Sequence, residues 1–304
     1  MNTLELHNIG KAYDNFVAVD DLSFAIAPGQ IYGLLGPNGA GKTSTIRMMI
    51  GITLPDSGEV RMFGEPLGRR HLARIGYLPE ERGLYKKMKL LEHLVLLAEL
   101  KGVSAADAVA KAKRWCERLD LTPWLDKKVE ELSKGMQQKV QFISALLHEP
   151  DFIIMDEPFS GLDPANAVAL KDVLVELKQA GKTILFSTHR MDQVERLCDA
   201  ICLINHGQAV LEGELKEVKA RYGRRSVQLQ YEGSDGFLTD SALVLSANNY
   251  GNFVEVKLQP TADSQDLLKL VASRARVTRF ELMEPSLEEI FIDVVGKAKE
   301  RAHA

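Results

Sequence analysis

Cysteine is scarce in this sequence, with three among 304 residues: Cys116, Cys198 and Cys202. A small, odd number in a chain of this length argues against a disulfide scaffold. Cys198 and Cys202 have the spacing of a shared helix face, but no nearby residue completes a metal site. We therefore expect all three to be buried apolar thiols.

Apolar stretches long enough to cross a membrane are also missing. A spanning helix needs about 20 mostly apolar residues, and no such stretch occurs. The first segment, MNTLELHNIGKAYD, lacks the basic head and apolar run that are typical of a secretory signal. We expect a cytoplasmic chain that does not cross a membrane by itself.

The sequence also lacks an excess of positive charge. The 38 lysines and arginines are outnumbered by 42 aspartates and glutamates, which gives a formal net charge of −4. A protein that bulk charge holds on nucleic acid is normally basic, so the charge disfavours that function. A hydrophobic content of 45% over 304 residues suits a globular chain of two domains, or of one large domain with an appendage.

Short apolar strand patterns alternate with longer helical patterns over roughly the first 215 residues. The predicted strands cover 3–9, 30–35, 75–78, 152–156, 183–189 and 200–204. The predicted helices cover 42–51, 90–101, 104–119, 134–147, 164–180 and 190–198. This alternation predicts a mostly parallel sheet with helices on both faces. The stretch from about 88 to 148 shows no convincing strand and is predicted to be an inserted helical subdomain.

The pattern changes near residue 220, at the basic, glycine-containing hinge RYGRR (221–225). Strand patterns follow, and two of them are joined by ANNYGN, which suits a hairpin turn. The strands cover 226–232, 242–246, 253–259 and 277–283, and helices cover 263–275 and 286–302. We predict two domains, 1–220 and a small α+β domain, 221–304, in which no catalytic group is recognised.

A glycine-rich loop between a predicted strand and a predicted helix fits the pattern G-x-x-x-x-G-K-[ST]. Its glycines let several backbone N–H groups point at one anion, and the helix that follows adds its positive dipole end. Lys42 would reach the β- and γ-phosphates of a nucleoside triphosphate, and the Thr43 hydroxyl would ligate Mg²⁺. The candidate nucleotide-binding residues are Gly36, Pro37, Asn38, Gly39, Ala40, Gly41, Lys42, Thr43 and Ser44.

An apolar strand, FIIMD, ends in two successive carboxylates, Asp156 and Glu157. A buried strand ends in charge where something compensates that charge, and Mg²⁺ held by Thr43 would do so. We assign Asp156 to the second coordination sphere of the metal and Glu157 to the attacking water as its general base. The alternative interpretation is an ordinary acidic strand end at the surface, which the upstream phosphate loop disfavours.

Four further motifs complete a resemblance to one family, the ATP-binding subunits of ABC transporters. LSKGMQQ (132–138) resembles the family signature LSGGQ, and SGLD (160–163) resembles its D-loop. His189, which ends TILFSTH, resembles the switch histidine, and Tyr13 in KAYD matches the aromatic that stacks on adenine. The resemblance covers residues 1 to about 220. It implies an α/β fold of the ABC ATPase type of P-loop NTPase with an inserted helical subdomain.

The resemblance also implies roles for these residues. The helix tip at Ser133, with Gly135 and Gln137, would face the phosphates bound by a second subunit, so that ATP lies between two chains. Asp163 would link the two sites, and His189 would contact the γ-phosphate. Simple helix capping remains the alternative for Ser133 and Asp163.

One departure from the family pattern concerns charge at the site. Glu80 stands where the family usually has glutamine, and it adds a third carboxylate beside Asp156 and Glu157. This carboxylate either ligates the metal or holds a proton and acts as a neutral donor. Lys134 and Met136 also depart from the usual signature. These variants, together with the C-terminal EPSLEEIFIDVV (284–295), resemble the exporter-type branch of the family, which includes sodium- and drug-extruding systems.

The function that the resemblance implies is ATP hydrolysis that powers a membrane exporter through closure and reopening of a dimer. Its partners would be a second copy or a homologous subunit, and a membrane permease that docks near residues 80–100. Through that permease the chain would lie at the inner face of the cell membrane. The leucine-rich helix in this segment is alternatively core of the helical subdomain.

Two alternative functions have less support. Soluble ABC ATPases that act on nucleic acid or ribosomes carry long coiled-coil insertions or two cassettes. Here 91 positions separate Lys42 from Ser133, and there is one cassette. A non-hydrolysing regulatory module would lack Glu157 or His189, and both are present.

Replacing Lys42 by alanine tests the phosphate loop. We expect Lys42→Ala to lose nucleotide binding, because it removes the ammonium group that would contact the β- and γ-phosphates. Equilibrium binding of a fluorescent ATP analogue measures the effect, and wild-type affinity in the variant would contradict the assignment.

Overall fold

The computed structural model describes residues 1–81, 83–223 and 226–302, and the chain divides into two compact units, Met1–Glu214 and Leu215–Ala304. The division lies close to residue 220, where the sequence pattern changes. Part of the predicted hinge RYGRR, Arg224 and Arg225, lies outside the described residues.

The first unit contains ten strands and six helices among its described residues. The strands are β1 (Leu4–Tyr13), β2 (Phe16–Ile26), β3 (Ile31–Leu35), β4 (Ser57–Met62), β5 (Glu65–Pro66), β6 (Ile75–Leu78), β7 (Phe152–Asp156), β8 (Thr183–Thr188), β9 (Ala200–Asn205) and β10 (Gln208–Glu214). The helices are α1 (Lys42–Met49), α2 (Leu90–Leu100), α3 (Ala105–Arg118), α4 (Lys134–Leu146), α5 (Pro164–Gln179) and α6 (Met191–Leu197).

A six-stranded sheet in the order β10-β9-β3-β8-β7-β6 forms the centre of the first unit. Five of its strands run parallel, and β10 pairs antiparallel with β9 at one edge. Every residue of β3, β7 and β8 is buried, so both faces of the sheet are covered. The predicted mostly parallel sheet is confirmed. Its antiparallel edge strand, β10, is not predicted from the sequence.

A second, antiparallel sheet in the order β2-β1-β4-β5 belongs to the same unit, and of its strands only β1 is predicted. For β2, the reason is that its pairing with β1 is irregular. The register of β1 on β2 shifts several times between Leu6 and Ala12, so the two-residue alternation that marks a strand is interrupted. In β2, two exposed acidic residues, Asp20 and Asp21, break the apolar pattern.

Between β6 and β7 the chain forms the helices α2, α3 and α4, which contact one another. Ala108, Ala112 and Cys116 of α3 are buried and lie four residues apart, so they form one stripe that faces the other helices. Among the described residues of this stretch, strand-like pairing is limited to one bridge, between Lys89 and Lys128. The inserted helical subdomain is confirmed as part of the fold.

The second unit consists of α7 (Leu215–Tyr222), β11 (Ser226–Gly233), β12 (Val244–Asn249), β13 (Val254–Leu258), α8 (Ser264–Arg274), β14 (Ala275–Met283) and α9 (Leu287–Ala302). Its antiparallel sheet has the order β12-β13-β11-β14, and α8 contacts β14. Val227, Leu229, Phe237, Val256 and Leu267 form a buried core of its own. A small α+β domain is therefore confirmed, although α7 is not predicted.

The three cysteines are free and buried, as predicted. Burial raises the pKa of the Cys116 thiol to about 12, so this thiol stays protonated at neutral pH. Among the helices of the described residues, none combines the length and the apolar content that crossing a bilayer requires.

His93 is an unusual member of the helical core. The side chain of this α2 residue is fully buried, and neither ring nitrogen has a hydrogen-bond partner among the described residues. The ring packs edge-on against Tyr85, with 5.7 Å between ring centroids. Burial lowers the pKa of His93 to about 4, because the charged form loses its hydration.

The lowered pKa of His93 predicts a pH dependence of stability. The neutral ring contributes its full stability above the unfolded pKa of about 6.5, and that contribution is lost as the pH falls towards 4. Between pH 7.5 and 5 we expect the wild type to lose about 2 kcal/mol of unfolding free energy through this group. Urea unfolding at both pH values should show a smaller loss in His93→Phe.

His7→Phe is the matched control, because the His7 side chain is half exposed. This variant should keep the pH dependence of the wild type. Equal losses in the His93→Phe and wild-type proteins would contradict the lowered pKa.

Candidate functional site

The glycine-rich loop connects β3 to α1, which begins at Lys42. Gly36 and Gly41 have φ angles of 151° and 109°, a region that favours glycine. A Cβ at Gly36 would lie 2.2 Å from the Ile204 carbonyl oxygen, and one at Gly41 would lie 2.3 Å from that of Ala18. Only glycine fits at both positions, because the backbone passes so close to its neighbours. The loop can therefore form a concave surface in front of the N-terminus of α1.

The Lys42 side chain turns back into this loop. Its Nζ donates hydrogen bonds to the carbonyl oxygens of Gly36 and Pro37, at 2.8 and 3.1 Å. Burial lowers the pKa of the amine, and the nearby carboxylates of Glu157 and Asp156 oppose that shift. The loop thus holds a buried ammonium group at a helix N-terminus, an arrangement that attracts an anion.

Asp156 is the buried last residue of β7. Its Oδ2 accepts a hydrogen bond of 3.0 Å from the Thr43 hydroxyl, and its Oδ1 accepts one from the Ser187 hydroxyl on β8. Two hard oxygen donors, from Thr43 and Asp156, therefore lie side by side. Ser187 is not identified from the sequence, because its place opposite Asp156 depends on the register of β7 on β8.

Glu157 and His189 meet at the ends of the neighbouring parallel strands β7 and β8. Glu157 Oε1 lies 2.7 Å from His189 Nδ1 and accepts a hydrogen bond of 3.0 Å from the His189 backbone N–H. Glu157 Oε2 accepts one of 3.0 Å from the Thr188 hydroxyl. Glu157 has a φ of 49°, a conformation that is uncommon for a residue with a side chain. These contacts hold the carboxylate in one orientation.

One cavity of about 350 Å³ joins these groups. Ten predicted site residues line it: Asn38, Gly39, Gly41, Lys42, Thr43, Ser44, Glu80, Asp156, Glu157 and His189. Phe16, Ala18 and Ser160 also line it and are not predicted. Of the remaining loop residues, Gly36 and Pro37 hold Lys42 through their carbonyl groups, and Ala40 is buried.

Tyr13 does not line this cavity. It lies at the end of β1 and pairs with Phe16 across the hairpin to β2. Phe16 lines the cavity with 62% of its surface exposed, whereas Tyr13 is 39% exposed. The hairpin therefore brings the ring of Phe16, rather than that of Tyr13, to the cavity, and no motif in the sequence indicates Phe16.

Glu80 follows β6 and faces the same cavity as Asp156 and Glu157. The segment around it is attached to α4, because the Gln141 side-chain amide donates hydrogen bonds to the carbonyl oxygens of Pro79 and Glu81, at 2.8 and 3.2 Å. Arg82, in the same segment, lies outside the described residues. The third carboxylate therefore lies at the junction between the cavity and the helical subdomain.

The signature residues lie away from the cavity of their own chain. Ser133 is exposed and caps α4 by accepting a hydrogen bond of 3.2 Å from the Met136 backbone N–H. The Gln137 side chain donates to the carbonyl oxygens of Val129 and Leu132. Ser133 and Lys134 are both exposed, so the N-terminus of α4 faces solvent.

Asp163 lies at a second helix start, where it caps α5. Its carboxylate accepts a hydrogen bond of 2.9 Å from the Asn166 backbone N–H. A Cβ added at Gly135 would lie 3.9 Å from Asn166 Nδ2, so the two helix starts are neighbours. The capping interpretation holds for both Ser133 and Asp163, and it does not exclude a further role.

Two protein families match the sequence of this chain. The family described as "ABC transporter" matches residues 19–160, and the family "ATP-binding protein DrrA1-3-like, C-terminal domain" matches residues 213–295. The second match begins close to the division between the two units.

Relatives and a solved structure agree with these matches. The ABC transporter ATP-binding protein YhaQ of Bacillus subtilis is 43% identical over 98% of this chain and 100% of its own length. The Nod factor export ATP-binding protein I of Paraburkholderia xenovorans is 42% identical over 69% of this chain and 70% of its own length. A solved ATP-binding subunit of an ABC transporter, 33% identical, superposes with a TM-score of 0.68 over 73% of this chain and 93% of its own. The chain therefore belongs to the family of ABC transporter ATP-binding proteins.

Proposed function

We propose that this chain hydrolyses ATP at its phosphate loop and thereby powers a membrane exporter through closure and reopening of a dimer. The observation that carries the proposal is the meeting of Lys42, Asp156, Glu157 and His189 in one cavity. A cation for phosphate, a carboxylate for metal and an oriented base are the parts that nucleotide hydrolysis needs. The export direction is supported by the relative named for Nod factor export.

The donor set of the cavity fits Mg²⁺. The Thr43 hydroxyl and the carboxylates of Asp156 and Glu80 are oxygen ligands, which this ion prefers. These three residues would hold the metal, and bound Mg²⁺ would offset the negative charge of the phosphates. Without an ion, the Glu80 carboxylate would repel those of Asp156 and Glu157, and a bound cation would offset that repulsion.

Glu157 is the proposed general base. Its carboxylate is held by the Thr188 hydroxyl and by the backbone and ring of His189, so one orientation is fixed before a substrate binds. It would accept a proton from the attacking water, and His189 would contact the γ-phosphate. The His189 side chain is about half exposed, which leaves it accessible to a ligand.

A second subunit would complete the site. Ser133 is exposed at the N-terminus of α4, and its own chain's cavity does not use it. An open helix N-terminus attracts phosphate. The tip formed by Ser133, Gly135 and Gln137 would therefore contact nucleotide held by the partner, with Asp163 linking the two sites.

Adenine would stack on the aromatic hairpin. Tyr13 is the residue that the family motif indicates, and Phe16, its cross-strand neighbour, lines the cavity. Both rings are partly exposed, and the ring of Phe16 faces the cavity of the phosphate loop.

The permease would dock on the segment 80–100. The buried Leu90 and Leu94 belong to the helical core, so the accessible surface is the loop before α2. There Tyr85 is 53% exposed, beside the half-buried Leu84 and Met88. Through this contact the chain would lie at the inner face of the cell membrane. The relatives named above are transporter subunits, which leaves the nucleic-acid alternative without support.

Glu157→Gln separates binding from hydrolysis. We expect ATP affinity to stay near that of the wild type, while turnover falls at least about 100-fold, because the amide cannot accept the proton from water. A closed dimer should then accumulate with ATP and Mg²⁺, as measured by size-exclusion chromatography with light scattering. Glu99→Gln, on the exposed face of α2, is the control and should keep wild-type turnover. Unchanged turnover in Glu157→Gln would overturn the base assignment.

Tyr85→Glu tests the docking surface. A charge on this exposed apolar group should reduce the amount of integral membrane protein that co-purifies with the chain from solubilised membranes of its own cells. ATP binding should remain, since Tyr85 does not line the nucleotide cavity. Tyr250→Glu is the control, because Tyr250 is similarly exposed, at 57%, in the second unit. Equal recovery of membrane protein with both variants would place the docking surface elsewhere.

A further inference from the structure

A second cavity of about 420 Å³ lies in the first unit, at the opposite edge of the central sheet from the phosphate loop. Pro150, just before β7, and Lys182, just before β8, line it. The other ends of the same two strands carry Asp156 and His189. The two cavities share no lining residue. We call this second cavity the α3–α5 cavity, after the helices that form its sides.

One wall of the α3–α5 cavity is a single face of α3. Lys111, Arg114, Trp115 and Arg118 line it, and their spacing of three, four and seven residues places them on one side of the helix. This face lies beside the buried alanine stripe of α3 and is mainly cationic. Three cationic side chains and one indole ring therefore form this wall of the cavity.

Four further residues that line the cavity are apolar. Leu146 at the end of α4, Ile153 in β7, and Leu177 and Ala180 at the end of α5 line it. Leu146 and Ile153 are buried within the fold. A ligand in this cavity would therefore contact both hydrocarbon and cationic side chains.

Most of the cations already have carboxylate partners. Lys111 pairs with Glu149 at 3.1 Å, and Arg118 pairs with Glu176 on α5. Lys182 lies 3.4 Å from an Asp151 carboxylate oxygen.

Arg114 differs from these three. Among the described residues it makes no ion pair and no hydrogen bond. The carboxylates of Glu149, Glu176 and Asp151 offset the other three cations, so the cavity offers one uncommitted guanidinium group, that of Arg114.

Trp115 supplies the second recognition element. Its ring is half buried, and the Arg118 guanidinium lies over it, 5.3 Å from the ring centroid. The indole N–H has no acceptor among the described residues. A flat ring and an unused N–H donor therefore lie next to Arg114 on the same helix face.

We propose that the α3–α5 cavity binds a small organic anion that carries one acidic group on an apolar body. The acidic group pairs with Arg114 and the Trp115 indole N–H, and the body packs on Leu146, Ile153 and Leu177. The volume is within the range of about 300–1,000 Å³ that is typical of small-molecule sites. The site is independent of the proposed function, because no residue of the nucleotide cavity takes part.

Tryptophan fluorescence reports this site directly. The chain has two tryptophans, so Trp124→Phe leaves Trp115 as the sole indole. In that background we expect anilinonaphthalene sulfonate, an aromatic body with one sulfonate, to quench Trp115 emission saturably. Adding Arg114→Glu should weaken this binding about tenfold, because it replaces an attraction by a repulsion.

Lys113→Glu is the matched control for Arg114→Glu. It makes the same charge change at an exposed neighbour on α3 that does not line the cavity, and it should leave the affinity unchanged. N-phenylnaphthylamine, the same aromatic body without the sulfonate, should bind about tenfold more weakly than the sulfonate. Circular dichroism would verify that both variants are folded. Non-saturable quenching, or equal affinity in the two variants, would overturn the proposal.

Discussion

Charge compensation at one edge of the parallel sheet holds the nucleotide cavity together. β3, β8 and β7 are neighbours, and their carboxyl ends deliver the phosphate loop, His189, and the pair Asp156 and Glu157 to one cavity. The positive charge of Lys42 compensates the nearby carboxylates, and the hydroxyl groups of Thr43 and Ser187 donate hydrogen bonds to Asp156. Burying these charges is tolerated because each has a partner or faces a ligand cavity.

The helical insertion is attached to this charged edge at two points. Gln141 of α4 holds the segment around Glu80, and the Gln138 amide donates to the Pro158 carbonyl oxygen after β7. The same helix starts at the exposed Ser133 and ends at Leu146 in the α3–α5 cavity. A rigid helix of 13 residues therefore connects the proposed dimer contact, the nucleotide cavity and the second cavity.

The phosphate loop, Asp156 and Glu157 could be predicted from local patterns and His189 from the family resemblance, because each occupies a fixed position relative to a strong strand or helix pattern. Phe16 and Ser187 were not identified, because their contribution depends on strand pairing. Phe16 reaches the cavity through the β1–β2 hairpin, and Ser187 reaches Asp156 through the register of β8 on β7. Neither position carries a local pattern of its own.

Local propensity and spacing encode the alternation of elements, the glycine loop and the chemistry of the strand ends, so these features can be predicted from the residues alone. Which strands are neighbours depends on the folded chain, and so does the meeting of distant side chains such as Glu157 and His189, which lie 2.7 Å apart. The same holds for the antiparallel sheet of the first unit, for the burial of His93, and for the grouping of Arg114 and Trp115 with Leu177 around one cavity. Such contacts join segments far apart in the chain, and pairing over that distance depends on the packing of the whole domain rather than on any local pattern.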